Sequence, residues 1–598
     1  MTIKKTIMTT LCIAALVVTT TTRAVESTTQ PKAQKRWIYM FMNLSVDQNI
    51  PKIEAILIRA KKAGYNGLFI NDNKLGFWWK LENAQGWKDN AKKLRKITRG
   101  LDFELVVGVF PFGRADPLLW HDVNLASGLP VIAAPLTAHN GRLILDTTAI
   151  ISNGSFEQHT ENTADDFDLQ DDPGTGSFID RQIFKSGKAS LRFENVGAAN
   201  KYGNGRISQK IRVKPWQQYR LRAYMKADQL TADEVKLMAM ANGRSLQQQF
   251  LQIPDGKTLH ASESVNNLTT DWIEQSVTFN SLDNTEVNIY AGVWGAKGGK
   301  IWWDDLRIEA APLMNVLRRE SLPLAIKNKA GVPYQEGKEF AHVADARLGV
   351  VPWPGSYDTQ HEPPEIKLTR NSRIREGQTV WLSCYHTVIV YDGQVNCSMA
   401  DPEVFELCKQ QIRKTKEALA PDGYFMSHDE IRSGGWEPVE TNGFKTSGDL
   451  FASNIKRCYD IASKEGGGKP VYVWSDMFDP NHNAHTNYYL VNNTLENSWT
   501  GLNPQVIVMN WCGGEKAGQS LKFFAKRGHQ QMIAAYYDGD VTQNHRMWTD
   551  AAHNVPGIAG IMYTTWNSDY ANLERFAEIW WGGEATTNGT QPTRMRKK

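Results

Sequence analysis

"RWIYMFMNLSVDQNIPKIEAILIRAKKAGYNGLFIND", residues 36–72, holds three elements in order. "RWIYMFMN" (36–43) is apolar over a strand's length, as a strand buried on both faces must be. "IPKIEAILIRAKKAGY" (50–65) has helical periodicity and runs into the stop signal Gly64. "GLFIND" (67–72) is a second buried strand. The rhythm goes on with a helix at "GWKDNAKKLRKITRG" (86–100) and a strand at "FELVVGVFPFG" (103–113). Strand and helix alternating at this spacing argue a parallel sheet covered by helices.

Between about 150 and 310 the rhythm breaks. No amphipathic helix is evident there, and short alternating runs such as "QQYRLRAYMKA" (217–227) and "VNIYAGVWG" (287–295) follow one another between Gly, Asn and Asp turns. That is the pattern of a β-sandwich spliced into a loop of the first domain. Residues 311–378 read as an irregular, β-rich connection. Strand–helix alternation then resumes over 379–582, beginning with "TVWLSCYHTVIVY" (379–391) and continuing through "YFMSHDE" (424–430) to a last helix at 572–582.

Nine strand candidates lie outside the sandwich, one more than a closed barrel of eight needs. The fold expected is α/β: a (β/α)8 TIM barrel, its first part at 36–125, interrupted by an inserted all-β sandwich at 150–310. A doubly wound open sheet is disfavoured because no glycine-rich phosphate turn follows the first strand. The polar tail 583–598 is expected to be disordered.

The 598 residues exceed what one compact core fills. A net charge of +4 without a basic stripe argues against a nucleic-acid partner. The 20 Trp, 19 Tyr and 22 Phe supply many flat apolar faces of the kind that stack on sugar rings. The start, "MTIKKTIMTTLCIAALVVTTTTRAVES", reads as a secretory signal peptide over residues 1–24, so a secreted or periplasmic protein without stable membrane insertion is expected. The five cysteines beyond it lack metal-site spacing and, being odd in number, make no disulfide framework.

In a β/α barrel the chemistry sits at the C-terminal strand ends. Here those ends carry Asn71 and Asp72, Asp429 and Glu430, Trp474 and Asp476, Trp511, Tyr536 and Asp538, and Trp566. Carboxylates and aromatics on one rim suit glycosidic bond hydrolysis, with one carboxyl protonating the leaving oxygen. Adjacent carboxylates raise each other's proton affinity, which favours one neutral acid beside one anion. His428 and Arg432 flank the pair as further substrate contacts, Arg432 also as a partner for Asp429.

"HDE" (428–430), "YVWSDM" (472–477), "AYYD" (535–538) and Trp566 resemble family-20 glycoside hydrolases, the β-N-acetylhexosaminidases, over about residues 420–580. The resemblance implies Glu430 as acid/base and Asp429 as the residue orienting the substrate's own 2-acetamido group, which attacks the anomeric carbon. It implies Tyr536 on the acetamido oxygen, Asp538 on a ring hydroxyl, and Trp474 and Trp566 as pocket walls, with no cofactor required. The sequence departs from that family where Ser427 and His428 replace two glycines, where Trp566-Asn567-Ser568 lacks a Glu, and in having no Arg on the first strand for sugar hydroxyls.

Two alternatives stay open: an enzyme nucleophile, Asp476 or Asp538, on another oligo- or polysaccharide, and a non-catalytic polysaccharide-binding protein. The sandwich text "NGSFE" (153–157), "SGKASLRFE" (186–194) and "GKIWWDDLRIE" (299–309) resembles jelly-roll carbohydrate-binding modules. That resemblance implies Trp294, Trp302 and Trp303 as stacking candidates and Asp305 as a candidate ligand for a structural calcium.

Overall fold

The computed structural model describes residues 34–145, 149–251, 264–391 and 393–582. The expected signal peptide and the tail 583–598 lie outside these residues.

Eight parallel strands close into a barrel in chain order. They are β1 (Lys35–Phe41), β2 (Gly67–Asn71), β3 (Glu104–Val109), β4 (Gly423–Met426), β5 (Val471–Trp474), β6 (Ile507–Asn510), β7 (Gln531–Tyr536) and β8 (Ile558–Thr564). Alternate residues part to opposite faces, as a pleated strand requires. Trp37, Tyr39, Phe69, Phe425 and Tyr472 fill the interior, while Ile38, Met40, Leu68 and Ile70 pack outward in the larger core. The tight interior explains one glycine: a Cβ on Gly67 would sit 2.2 Å from the Trp37 ring, its register partner on β1.

Helices cover the barrel: α1 (Asn49–Lys62), α2 (Ala84–Gly100), α3 (Pro402–Leu419), α4 (Ser447–Gly466), α5 (Ala517–Lys526), α6 (Val541–Ala552) and α7 (Leu573–Trp581). Their starts follow local chemistry. The Asp401 side chain accepts from the Glu403 N–H at the head of α3, and Thr446 with Asp449 forms a capping box on α4. Between β5 and β6 two 3-10 turns, Asp476–Phe478 and Ser498–Gly501, stand where the barrel pattern places a helix.

The ninth strand candidate belongs elsewhere. Thr379–His386, grouped with the barrel in the sequence reading, pairs antiparallel with Leu129–His139 in a six-stranded sheet. A short apolar run looks the same whichever sheet buries it. Arg142–Leu145 and three short strands from 325–367 complete that sheet, so the connection 311–378 is partly ordered β-structure.

The described residues between 169 and 310 form two antiparallel sheets of five strands each. They fall between β3 and β4 in the chain. Their shared core extends beyond them to Val388, Val390 and Leu490. Trp303 is fully buried, and Trp302 is buried with its indole N–H donating to Asp180 at 2.9 Å, so neither offers a face to sugar. Trp294 is half-buried, with Lys236 Nζ 4.9 Å from its ring. Asp305 is bonded to Arg307 Nη1 at 2.7 Å, and Asp304 accepts from the backbone N–H groups of Lys185, Ser186 and Asp305. No group of three or more His, Cys, Asp or Glu that could hold a metal occurs among the described residues.

All five described cysteines are buried free thiols. Among the described residues, no helix is long and apolar enough to cross a membrane.

Candidate active site

A cavity of about 600 Å³ opens at the C-terminal ends of the barrel strands. Its lining draws on β1 through Tyr39, on β2 through Asn71, on β4 through Asp429 and Glu430, and on the later strands through Trp474, Trp511, Tyr537 and Trp566. The acid pair thus stands one turn beyond the fourth strand, where the chain leaves regular pleat. Glu430 takes a left-handed φ of 51°, and this lets two neighbours in sequence address one cavity rather than opposite faces. The loop after β3 presses against the same point. A Cβ on Gly113 would lie 2.1 Å from the Asp429 carbonyl oxygen, so only glycine fits there.

Behind the pair lies Asp476, fully buried. Its Oδ2 accepts from the Glu430 backbone N–H at 2.8 Å and from Asn483 Nδ2 at 2.9 Å. Its Oδ1 accepts from the Trp511 indole at 3.2 Å. Burial, together with Asp476 and Glu430 close by, pushes the Asp429 carboxyl well above the usual carboxylate range, and burial beside Glu430 does the same to Asp476.

Glu430 is addressed differently. Arg432 Nη2 meets its Oε1 at 2.8 Å, so the arginine expected beside Asp429 pairs with Glu430 instead. Arg432 itself is buried and does not line the cavity.

The aromatic wall is contiguous. Trp566 is half exposed at the mouth and packs on Tyr39, Trp474 and Tyr537 with ring centroids 5.3, 6.2 and 5.7 Å away. Tyr537 stacks on Trp511 at 6.2 Å and 11°.

Besides Arg432 and Asp476, three expected contacts lie off the cavity lining. Tyr536 turns outward, stacks on Tyr563 at 4.5 Å and accepts from Asn572 Nδ2 at 2.8 Å. Its neighbour Tyr537 takes the place in the cavity, and the Tyr537 hydroxyl is buried with no hydrogen-bond partner. The cause is local: Tyr536, Tyr537 and Asp538 all have positive φ, 83°, 53° and 59°, and the strand's alternation ends there. Asp538 accepts from Thr565 Oγ1 and from the backbone N–H groups of Trp566 and Asn567, which fastens the end of β8 rather than facing the cavity. His428 is fully buried against Phe112 and bonds Asn454 Oδ1 at 3.0 Å; burial holds its imidazole down at about 4.

The sequence reading passed over Tyr39, Arg114, Asp116 and Gln411, all of which line the cavity. Arg114 and Asp116 follow β3 directly, so the strand-end rule applied to "FPFGRADP" would have found them. Burial pushes the Asp116 carboxyl up to about 6, against the opposing charge of Arg114.

No family model and no curated protein matches this sequence. Among solved structures, the module TmCBM61, in complex with β-1,4-galactotriose, is 13% identical, covers 27% of this chain and 97% of its own, and superposes with a TM-score of 0.20. The CBM22-1 xylan-binding domain of Paenibacillus barcinonensis Xyn10C is 14% identical over 29% of this chain and 97% of its own, TM-score 0.20. A rhamnosidase from Novosphingobium sp. PP1Y is 11% identical over 89% of this chain and 55% of its own, TM-score 0.33. Superpositions this loose place no residue and assign no activity.

Proposed function

We propose that the chain is an exported glycoside hydrolase that cleaves β-linked 2-acetamido sugars from oligo- or polysaccharides by a retaining, substrate-assisted route. One observation carries the reading: adjacent Asp429 and Glu430 stand just beyond the fourth barrel strand on a cavity walled by Trp474, Trp511, Tyr537 and Trp566. In this route Glu430 gives a proton to the leaving oxygen while the acetamido oxygen attacks the anomeric carbon. Glu430 then takes a proton from the incoming water. Asp429 accepts from the acetamido N–H and steadies the charge that develops there. The unpartnered Tyr537 hydroxyl, rather than that of Tyr536, donates to the acetamido oxygen.

The alternative with an enzyme nucleophile is weakened by the positions of its candidates. Asp476 and Asp538 are engaged by backbone and side-chain donors and neither lines the cavity.

The test is nitrophenol release from the β-GlcNAc and β-GalNAc nitrophenyl glycosides by wild type, Glu430→Gln and Asp429→Asn. Turnover in wild type that collapses in both variants is expected. A fully active Glu430→Gln would remove Glu430 from the role of acid. Absence of wild-type turnover on both glycosides would overturn the acetamido substrate.

A further inference from the structure

We infer that Arg432 is a positioning residue for Glu430 and that the inserted sandwich holds Arg432 in place. This deepens the reading above and rests on its assignment of Glu430.

The guanidinium of Arg432 is held at both terminal nitrogens and between two rings. Tyr391 and Tyr489 lie over it, with ring centroids 4.6 and 5.0 Å from Cζ. Nη2 meets Glu430 Oε1 at 2.8 Å, and Nη1 donates to Gln394 Oε1. The amide nitrogen of Gln394 reaches back toward Glu430 Oε2 at 3.4 Å. Oε1 is therefore addressed by the guanidinium and Oε2 by the Gln394 amide that the same guanidinium holds, a fork of two nitrogens that a lysine cannot reproduce.

The loops that carry the two tyrosines are tied to the sandwich. Arg244, on the sandwich strand Arg244–Phe250, donates to the carbonyls of Tyr489 and Val491. Gln247 on the same strand donates to the Ile389 carbonyl at 2.5 Å. The backbone between them is tied in turn to Arg432, whose carbonyl accepts from the Leu490 N–H at 2.9 Å. Trp436 closes the seam: its indole donates to the Leu490 carbonyl at 2.6 Å and its ring meets Trp216 of the sandwich edge-on at 5.5 Å. The sandwich thus supports the acid/base carboxyl through two shells of contact while contributing no residue to the cavity lining.

Crystal structures and nitrophenyl glycoside kinetics of wild type, Arg432→Gln, Arg432→Lys and Arg244→Ala test this. In Arg432→Gln the Glu430 carboxylate is expected to move by more than about 0.5 Å. The kcat should fall at least ~10-fold with KM little changed, as misplacement of a reacting group predicts. Arg432→Lys should keep the charge and fail to restore kcat. Arg244→Ala lies away from the cavity and spares the buried arginine. It should loosen residues 489–491 and lower kcat in the same sense by a smaller factor. Glu430 undisturbed in the Arg432→Gln structure, or Arg244→Ala indistinguishable from wild type in both structure and kcat, would overturn the proposal. If wild type hydrolyses neither glycoside, the proposed substrate falls, while displacement of Glu430 in the structures still decides the role of Arg432.

Discussion

The backbone N–H of Glu430 donates to Asp476 Oδ2 at 2.8 Å, so a carboxylate outside the cavity sets the main-chain conformation of one inside it. The left-handed φ of Glu430 costs of order 1–3 kcal/mol for a residue with a side chain, and this bond is part of what maintains it. Asp476→Asn keeps the shape but risks presenting an amide N–H to that donor. Turnover is expected to drop ~10- to 100-fold, with the Glu430 segment more mobile in hydrogen exchange. Unchanged turnover would show that the bond is dispensable.

Asp429 has a proton affinity raised to about 7 by burial and by Asp476 and Glu430. A carboxyl whose folded value exceeds its unfolded one contributes stability below the unfolded value, near 4, and that contribution is lost as pH rises through about 7. Asp429→Asn should therefore raise the melting temperature at pH 8 by a few degrees and change it little at pH 4. An equal shift at both pH values would mean that ionisation is not the cause.

Tyr536 and Tyr537 are adjacent and should behave oppositely. Tyr537→Phe removes a hydroxyl that has no partner in the folded protein, so stability should hold while KM for an acetamido glycoside rises ~10-fold. Tyr536→Phe deletes the bond from Asn572, so it should cost about 1 kcal/mol of stability and leave KM alone. Parallel denaturation and kinetics would separate the two.

His361 bridges Asp345 and Asp358, with ring nitrogens 2.9 and 2.8 Å from their oxygens, and only 6% of its side chain is exposed. Although burial opposes it, pairing with the two carboxylates raises its imidazole to about 9. The bridge should contribute fully below about pH 6.5 and fade as pH rises toward 9. His361→Gln should flatten that part of the stability–pH profile.

The sequence marks what regular pattern carries. The barrel strands are continuous apolar runs, and the Asp429–Glu430 pair interrupts one of them, so both stand out by inspection. The sheet that claims Thr379–His386 does not, because pairing partners leave no trace in a short run. The resemblance points to Tyr536, and three consecutive residues of positive φ put Tyr537 in the cavity instead. His428 and Arg432 lie beside the acids in sequence yet are spent on Asn454 and on Glu430. Such choices depend on which neighbour arrives from a distant part of the chain. Trp302 and Trp303 give the same lesson, since a tryptophan reads alike whether it packs inward or binds sugar.

Val388, Val390 and Leu490 belong to the sandwich core although the chain places them well beyond it. Segments outside the sandwich therefore complete its apolar interior. Cutting the sandwich out at its ends would leave those three side chains facing water and strip the Tyr489 and Ile389 carbonyls of their donors. The module is not cargo that can be traded between proteins. Heat should take it and the barrel apart in a single cooperative transition, where two independent domains would melt in turn.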